Sequence, residues 1–159
     1  MSRGVIIVAA GDPIYGEYAF NLAASLKYNQ PNLGICVVHT KDSLSTLSKE
    51  HLDVFSHFVE VEPDKYYQSG TPQYQKLKVQ LNNFTPFDKT LYLDADGIWF
   101  KKSVVDVFDS LLGKDFVIQS NGYYDPAIGK ETRHGYFYWG DPAKMCTYYG
   151  GHPGKLPKA

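Results

Sequence analysis

Asp94 and Asp96 stand one residue apart where the apolar run Leu91-Tyr92-Leu93 ends, and apolar residues resume at once with Ile98-Trp99-Phe100. Side chains alternate along a strand, so both carboxylates project from one side if the backbone stays extended. Two like charges that close repel each other, and burying either without a partner is costly. A divalent cation relieves both costs, and hard cations such as Mg²⁺ and Mn²⁺ favour carboxylate oxygen. The pair therefore reads as a metal site at the mouth of a sheet. A cation held there could bridge two phosphates, neutralise a leaving group and keep it in place. The simpler alternative is a pair of surface aspartates in a turn, and the apolar flanks weigh against it.

The elements that must position this pair are legible from hydrophobic spacing. Gly4 to Ala10 is a continuous apolar strand, and Tyr15 to Asn29 carries apolar or small residues at helical spacing. Ile35 to Val38 reads as a second strand, Leu44 to Phe55 as a helix, and Phe58 to Val61 as a third strand. Tyr74 to Phe84 follows as a helix, Lys89 to Leu93 as a fourth strand, Val104 to Leu112 as a helix and Phe116 to Gln119 as a fifth strand. Strand and helix in alternation predict an α/β fold: a mostly parallel, Rossmann-like sheet with helices on both faces. Ligands on such sheets bind beyond the carboxyl ends of strands. Asp94 and Asp96 lie at one such end, and Gly11, Asp12 and Tyr15 at another, so two loops are expected to face one pocket.

Residues 1–120 hold this regular pattern. Residues 121–159 lose it and are rich in Gly, Pro and aromatics, including Tyr136 to Trp139. They are expected to be irregular and part of the same domain. Filling a small core is the common use of such aromatics.

Three segments, taken in order, resemble the GT-A fold glycosyltransferases. Within that class they are most similar to glycosyltransferase family eight, the group of glycogenin and the bacterial lipopolysaccharide galactosyltransferases. The segments are Ile6 to Tyr15 followed by Ala23-Ala24-Ser25-Leu26, then Lys76-Leu77-Lys78, then Phe87 to Asp96. The resemblance implies a metal-dependent enzyme that moves a hexose from a nucleotide-sugar, in most cases a UDP-sugar, to an acceptor hydroxyl with retention of anomeric configuration. Asp94 and Asp96 would hold Mn²⁺ or Mg²⁺ on the donor diphosphate, with Ala95 between them at the sugar nucleotide. Tyr15 would stack on the nucleobase, while Ala9 and Asp12 line the base pocket through backbone and carboxylate. Lys76 would approach the diphosphate or the donor sugar, and Lys78 competes for that role. An aromatic face suits a base, and an ammonium suits a phosphate. Plainer roles stand beside these: Tyr15 packing at a helix start, Lys76 on a solvated face, Asp12 as the turn residue before Pro13. His152, in Gly-His-Pro-Gly-Lys, faintly matches a late family metal ligand but departs from its spacing. No catalytic base is identifiable.

The resemblance ends near residue 120, whereas family catalytic domains continue with an acceptor-binding half, which residues 121–159 would begin, their aromatics at Tyr136 to Trp139 stacking on a sugar acceptor. The expectation is a fragment or a pared-down variant, which leaves transfer by this chain alone in question. Two other readings follow. One is a module that binds a nucleotide-sugar or polysaccharide without transfer. The other is a haloacid-dehalogenase-type phosphatase, since Asp94-Ala95-Asp96-Gly97 resembles that group's nucleophile loop. Ile98 replaces the hydroxyl residue expected there, and three strand-helix units precede the motif.

Composition narrows the partners. A formal net charge of −1 demands no basic face for a nucleic acid polymer or an anionic membrane. The early apolar run Val5 to Ala10 is too short for a signal-peptide core or a membrane span. Cys36 and Cys146 are the only cysteines and form no Cys-x-x-Cys pair, so zinc and redox chemistry gain little support and a reducing, cytoplasmic setting is expected. His39, His51, His57 and His134 show no metal-ligand spacing.

Overall fold

The computed structural model describes residues 2–100, 104–109, 121–125, 130–134, 136–137 and 147–148. The chain divides into two compact units, Met1–Asp109 and Ser110–Ala159.

In the first unit the apolar runs become parallel strands. β1 (Arg3–Ala9) is followed by helix α1 (Ile14–Asn29), β2 (Gly34–His39), the short helix α2 (Lys49–Leu52) and β3 (His57–Glu60). A 3₁₀ turn at Pro63–Lys65 leads to a two-residue ladder of β4 (Tyr67–Gln68) with β5 (Thr71–Pro72). Helices α3 (Gln75–Lys78) and α4 (Leu81–Phe84), strand β6 (Lys89–Asp94) and helix α5 (Val105–Asp109) complete it. The four-stranded sheet has the order β3-β2-β1-β6, and every pairing in it is parallel. This is the predicted mostly parallel α/β architecture.

β1 and β2 lie inside the sheet, covered on both faces, which explains their unbroken apolar sequence. Side chains alternate between two cores. Val5, Ile7, Ala9, Ile35 and Val37 pack with Leu22 and Leu26 of α1 and Phe108 of α5. Ile6, Ala10, Cys36 and Val38 pack with Tyr66 and Leu77. Twelve of these side chains are fully buried or nearly so, each worth roughly 1.5–3 kcal/mol if it is a large aliphatic. α1 buries Gly16, Ala19, Leu22, Ala23 and Leu26 as one stripe.

Two predicted helices are shorter than their spacing implied. The Leu44–Phe55 helix contracts to α2, because residues 40–47 form successive turns: Ser43 N–H bonds Thr40 O, Ser45 N–H bonds Asp42 O, and Leu47 N–H bonds Leu44 O. Ser, Thr and Asp in that stretch favour local turns over helix. Ser48 caps α2 by accepting from His51 N–H at 3.3 Å, while Leu44 and Leu47, partly buried, still pack on the core. The Tyr74–Phe84 helix breaks at Val79–Gln80. Gln80 leaves helical geometry at φ −111° and ψ 9°, and its amide donates to the Lys76 and Lys65 carbonyls. The predicted strand Phe116–Gln119 lies outside the described residues.

In the second unit, β7 (Asn121–Asp125) and β8 (Lys130–His134) form an antiparallel hairpin, and β9 (Tyr136–Phe137) pairs with β10 (Thr147–Tyr148). Part of the segment expected to be irregular is therefore strand. Its Tyr and Thr residues suit a pleated ladder, a preference that helical periodicity does not reveal.

Candidate functional site

The strand order creates the site. From β1 the chain steps to β2 and then β3 in one direction, and it returns as β6 on the other side of β1. Loops leaving β1 and β6 consequently diverge at the carboxyl edge, the switch point where α/β sheets open a crevice. The register pairs Val8 with Asp94, so the acidic turn begins beside the end of β1.

A cleft of about 260 Å³ occupies this position, just under the roughly 300–1,000 Å³ typical of small-ligand pockets. Val8 and Ala10 form its floor, and Tyr15 enters from the first turn of α1. Tyr74, Gln75 and Lys78 line the α3 side, and Asp94, Ala95 and Asp96 the β6 side. Asp94 is the last residue of β6, and Asp96 lies in the following turn, closed by Gly97 N–H on Asp94 O at 3.2 Å. The two acids thus reach one cleft through strand and turn, without the continuous extended backbone that the alternation argument assumed.

Asp94 has protein partners. Its Oδ1 accepts from the Lys78 ammonium and from the Tyr92 hydroxyl. The ammonium also sits 5.7 Å from the centre of the Tyr92 ring. Burial alone would raise the Asp94 carboxyl. The hydrogen bonds from Lys78 and Tyr92, with the Lys78 charge, outweigh it and hold the group below its ordinary range. Among the described residues, no three of His, Cys, Asp and Glu gather where they could share a metal ion. Two carboxylates still suit a hard cation that completes its coordination with phosphate oxygens and water.

Lys76 does not line the cleft; its ammonium donates to the Tyr67 carbonyl at 3.3 Å. Residues two apart on a helix face different ways, so only one of the two lysines can reach the acids, and it is Lys78. Ala9 points to the opposite face of the sheet, into the α1 core, and its carbonyl accepts from Ser43 Oγ at 2.6 Å. Asp12 is exposed, and its Oδ1 accepts from Ile14 N–H at 2.9 Å, which makes it the turn residue that opens α1. Tyr15 is 45% exposed, its ring edge-on to Tyr18 at 6.2 Å. The side chains of His134 and Tyr136, and the whole of Trp139 and His152, lie outside what is described.

The sequence placed Gly11 at this edge without showing what it does there, and it did not single out Thr40 or Ser43. Gly11, at φ +92°, lets the chain turn out of β1 against the Tyr74 ring; a Cβ there would stand 2.7 Å from Tyr74 Cε2. Gly11 N–H donates to Thr40 Oγ1 at 3.0 Å. Ser43, fully buried, ties the ends of β1 and β2 by donating to Ala9 O and accepting from Thr40 N–H. The signal available was a Ser/Thr cluster directly after a buried strand, facing a glycine after its neighbour.

Fold and site together define a parallel α/β protein with an acidic, aromatic-lipped cleft at its switch point. No family model matches the sequence, and no curated protein matches it. Among solved structures the chain is similar to TarS of S. aureus, with 17% identity and a TM-score of 0.45, over 77% of this chain and 21% of that one. The chain thus spans about a fifth of the TarS chain, and a likeness this slight carries no argument about function. No helix among the described residues is long and apolar enough to cross a membrane.

Proposed function

We propose that this chain binds the donor of a metal-dependent glycosyltransferase and belongs to an enzyme that moves a hexose from a UDP-sugar to an acceptor hydroxyl, with retention. The observation that supports this most is the convergence of Tyr15, Lys78, Asp94 and Asp96 on one cleft at the switch point. An exposed aromatic ring suits a nucleobase, an ammonium suits a phosphate, and the two carboxylates suit Mn²⁺ or Mg²⁺. The cation, when bound, would stabilise negative charge on the departing diphosphate. The chain's own residues do the rest. Tyr15 offers the stacking face, Lys78 supplies a positive charge at the diphosphate, and the turn closed by Gly97 N–H presents Asp96 beside Asp94.

Titration of the purified protein with UDP, with and without Mn²⁺, tests this reading. Binding should require the metal and should be lost in Asp94→Ala and Asp96→Ala. Metal-independent binding that survives both substitutions would overturn it. Metal-dependent UDP binding without donor hydrolysis or transfer would instead identify a binding module. Hydrolysis of a generic phosphate ester would favour the phosphatase reading, in which Asp94 must act as nucleophile despite its bonds to Lys78 and Tyr92.

A further inference from the structure

The two acids of the cleft are unequal. Lys78 and Tyr92 both bond one oxygen of Asp94, Oδ1. Asp94 Oδ2 and the Asp96 carboxylate have no hydrogen-bond or ion-pair partner among the described residues. The pair is also wet: the Lys78 and Asp94 side chains are 37% and 59% exposed. Exposed ion pairs of this kind are weak and exchange readily. Lys78 stands on the cleft wall, one long flexible stem from any anion bound between Tyr15 and the acids.

We infer that Lys78 is an exchange counter-ion that couples metal binding to diphosphate binding. This deepens the donor-site reading and rests on it. Paired with Asp94, Lys78 neutralises half of the acidic charge and opposes a second cation at the same oxygen. A diphosphate, carrying more negative charge than one carboxylate, draws the ammonium to itself. Asp94 Oδ1 then turns to the cation, and Asp94 and Asp96 act together. Metal and diphosphate each raise the other's affinity, by the same factor in both directions. The cleft therefore selects a metal–diphosphate pair over free metal, and a lone divalent ion does not occupy it prematurely.

The test is Mn²⁺ binding to the whole protein, read from the free-ion signal in electron paramagnetic resonance, without nucleotide and with UDP at fixed excess against a UDP-only control. Without nucleotide, Lys78→Met should bind Mn²⁺ roughly tenfold tighter than wild type, because a unit positive charge beside a divalent ion has been removed. Lys78→Arg, which keeps the charge, should stay within about twofold of wild type. With UDP the gain in Mn²⁺ affinity should be large in wild type and small in Lys78→Met. If Lys78→Met binds Mn²⁺ no tighter than wild type without nucleotide, the inference fails while the donor-site reading stands. If neither protein binds Mn²⁺ even with UDP, the donor-site reading fails and takes this inference with it. Lys78 is partly exposed and outside both cores, so the variants should fold, and circular dichroism checks that they do.

Discussion

Replacing Gly16 by alanine sets two effects of opposite sign against each other. Gly16 sits inside the first turns of α1, where alanine is the better helix former by about 0.8–1 kcal/mol. Packing argues the other way. A Cβ at Gly16 would stand 2.2 Å from the Ser43 carbonyl oxygen, against 3.4 Å for ordinary contact, a shortfall of about 1.2 Å against backbone. The Ser43 loop cannot easily yield. Ser43 is fully buried, and its hydroxyl holds the Ala9 carbonyl at 2.6 Å and the Thr40 N–H at 3.1 Å. Overpacking of this kind costs about 1–3 kcal/mol, and loosening a buried hydrogen bond adds about 1–3 kcal/mol. Steric cost outweighs propensity, and the net expectation is a loss of about 3 kcal/mol, within a range of about 1–5 kcal/mol. At an m-value of about 1.5 kcal/mol/M, the urea midpoint followed by circular dichroism falls by about 1 M or more. Asn21→Ala is the control: it is exposed on the same helix, and its midpoint should rise slightly, by the equivalent of about 0.5 kcal/mol. Should Gly16→Ala match or exceed wild type while Asn21→Ala rises, the contact between α1 and the Ser43 loop would be refuted as a constraint on Tyr15 next door.

Other outcomes follow from the same geometry. Tyr15→Ala should weaken UDP binding by about 1–3 kcal/mol, the range for base–aromatic stacking, with unchanged thermal stability; calorimetric titration reads the first and a thermal melt the second. Gly11→Ala should lower the urea midpoint, since a positive φ costs an L-residue about 1–2 kcal/mol and the new methyl must push the Tyr74 ring. Lys76→Met should leave metal-dependent UDP binding unchanged, because its ammonium is engaged with Tyr67 and not with the cleft. The Asp94–Lys78 pair gives a pH signature. The folded Asp94 carboxyl is depressed, so its stabilisation is present above the unfolded value of about 3.9 and is lost as pH falls through the folded value. Both groups are well exposed, so wild type should exceed Lys78→Met by no more than about 1 kcal/mol at pH 7, and the difference should vanish on acidification in urea melts at stepped pH.

The alternation of strand and helix, the apolar core strands and the acidic pair at a strand's end were all readable in the chain, because each is a local pattern with a fixed period. Helices were read less well where that period was carried by turns: Leu44 and Leu47 bury their side chains without forming a helix. The lysine was the least legible point. Lys76 and Lys78 are equivalent by composition, and only the rotational phase of the four-residue α3 turns Lys78 to the acids.

What the amino-acid order determined alone was the kind of layer each segment could build and the chemistry stored at its ends, since hydrophobic period and residue type act over a few positions. Tertiary structure decided the neighbours. That β6 lies against β1 rather than β3 is a choice among long-range pairings with similar local sequences. That choice alone brings Asp94 level with Val8, opens the crevice, and sets Tyr15, Lys78 and the acids around one volume.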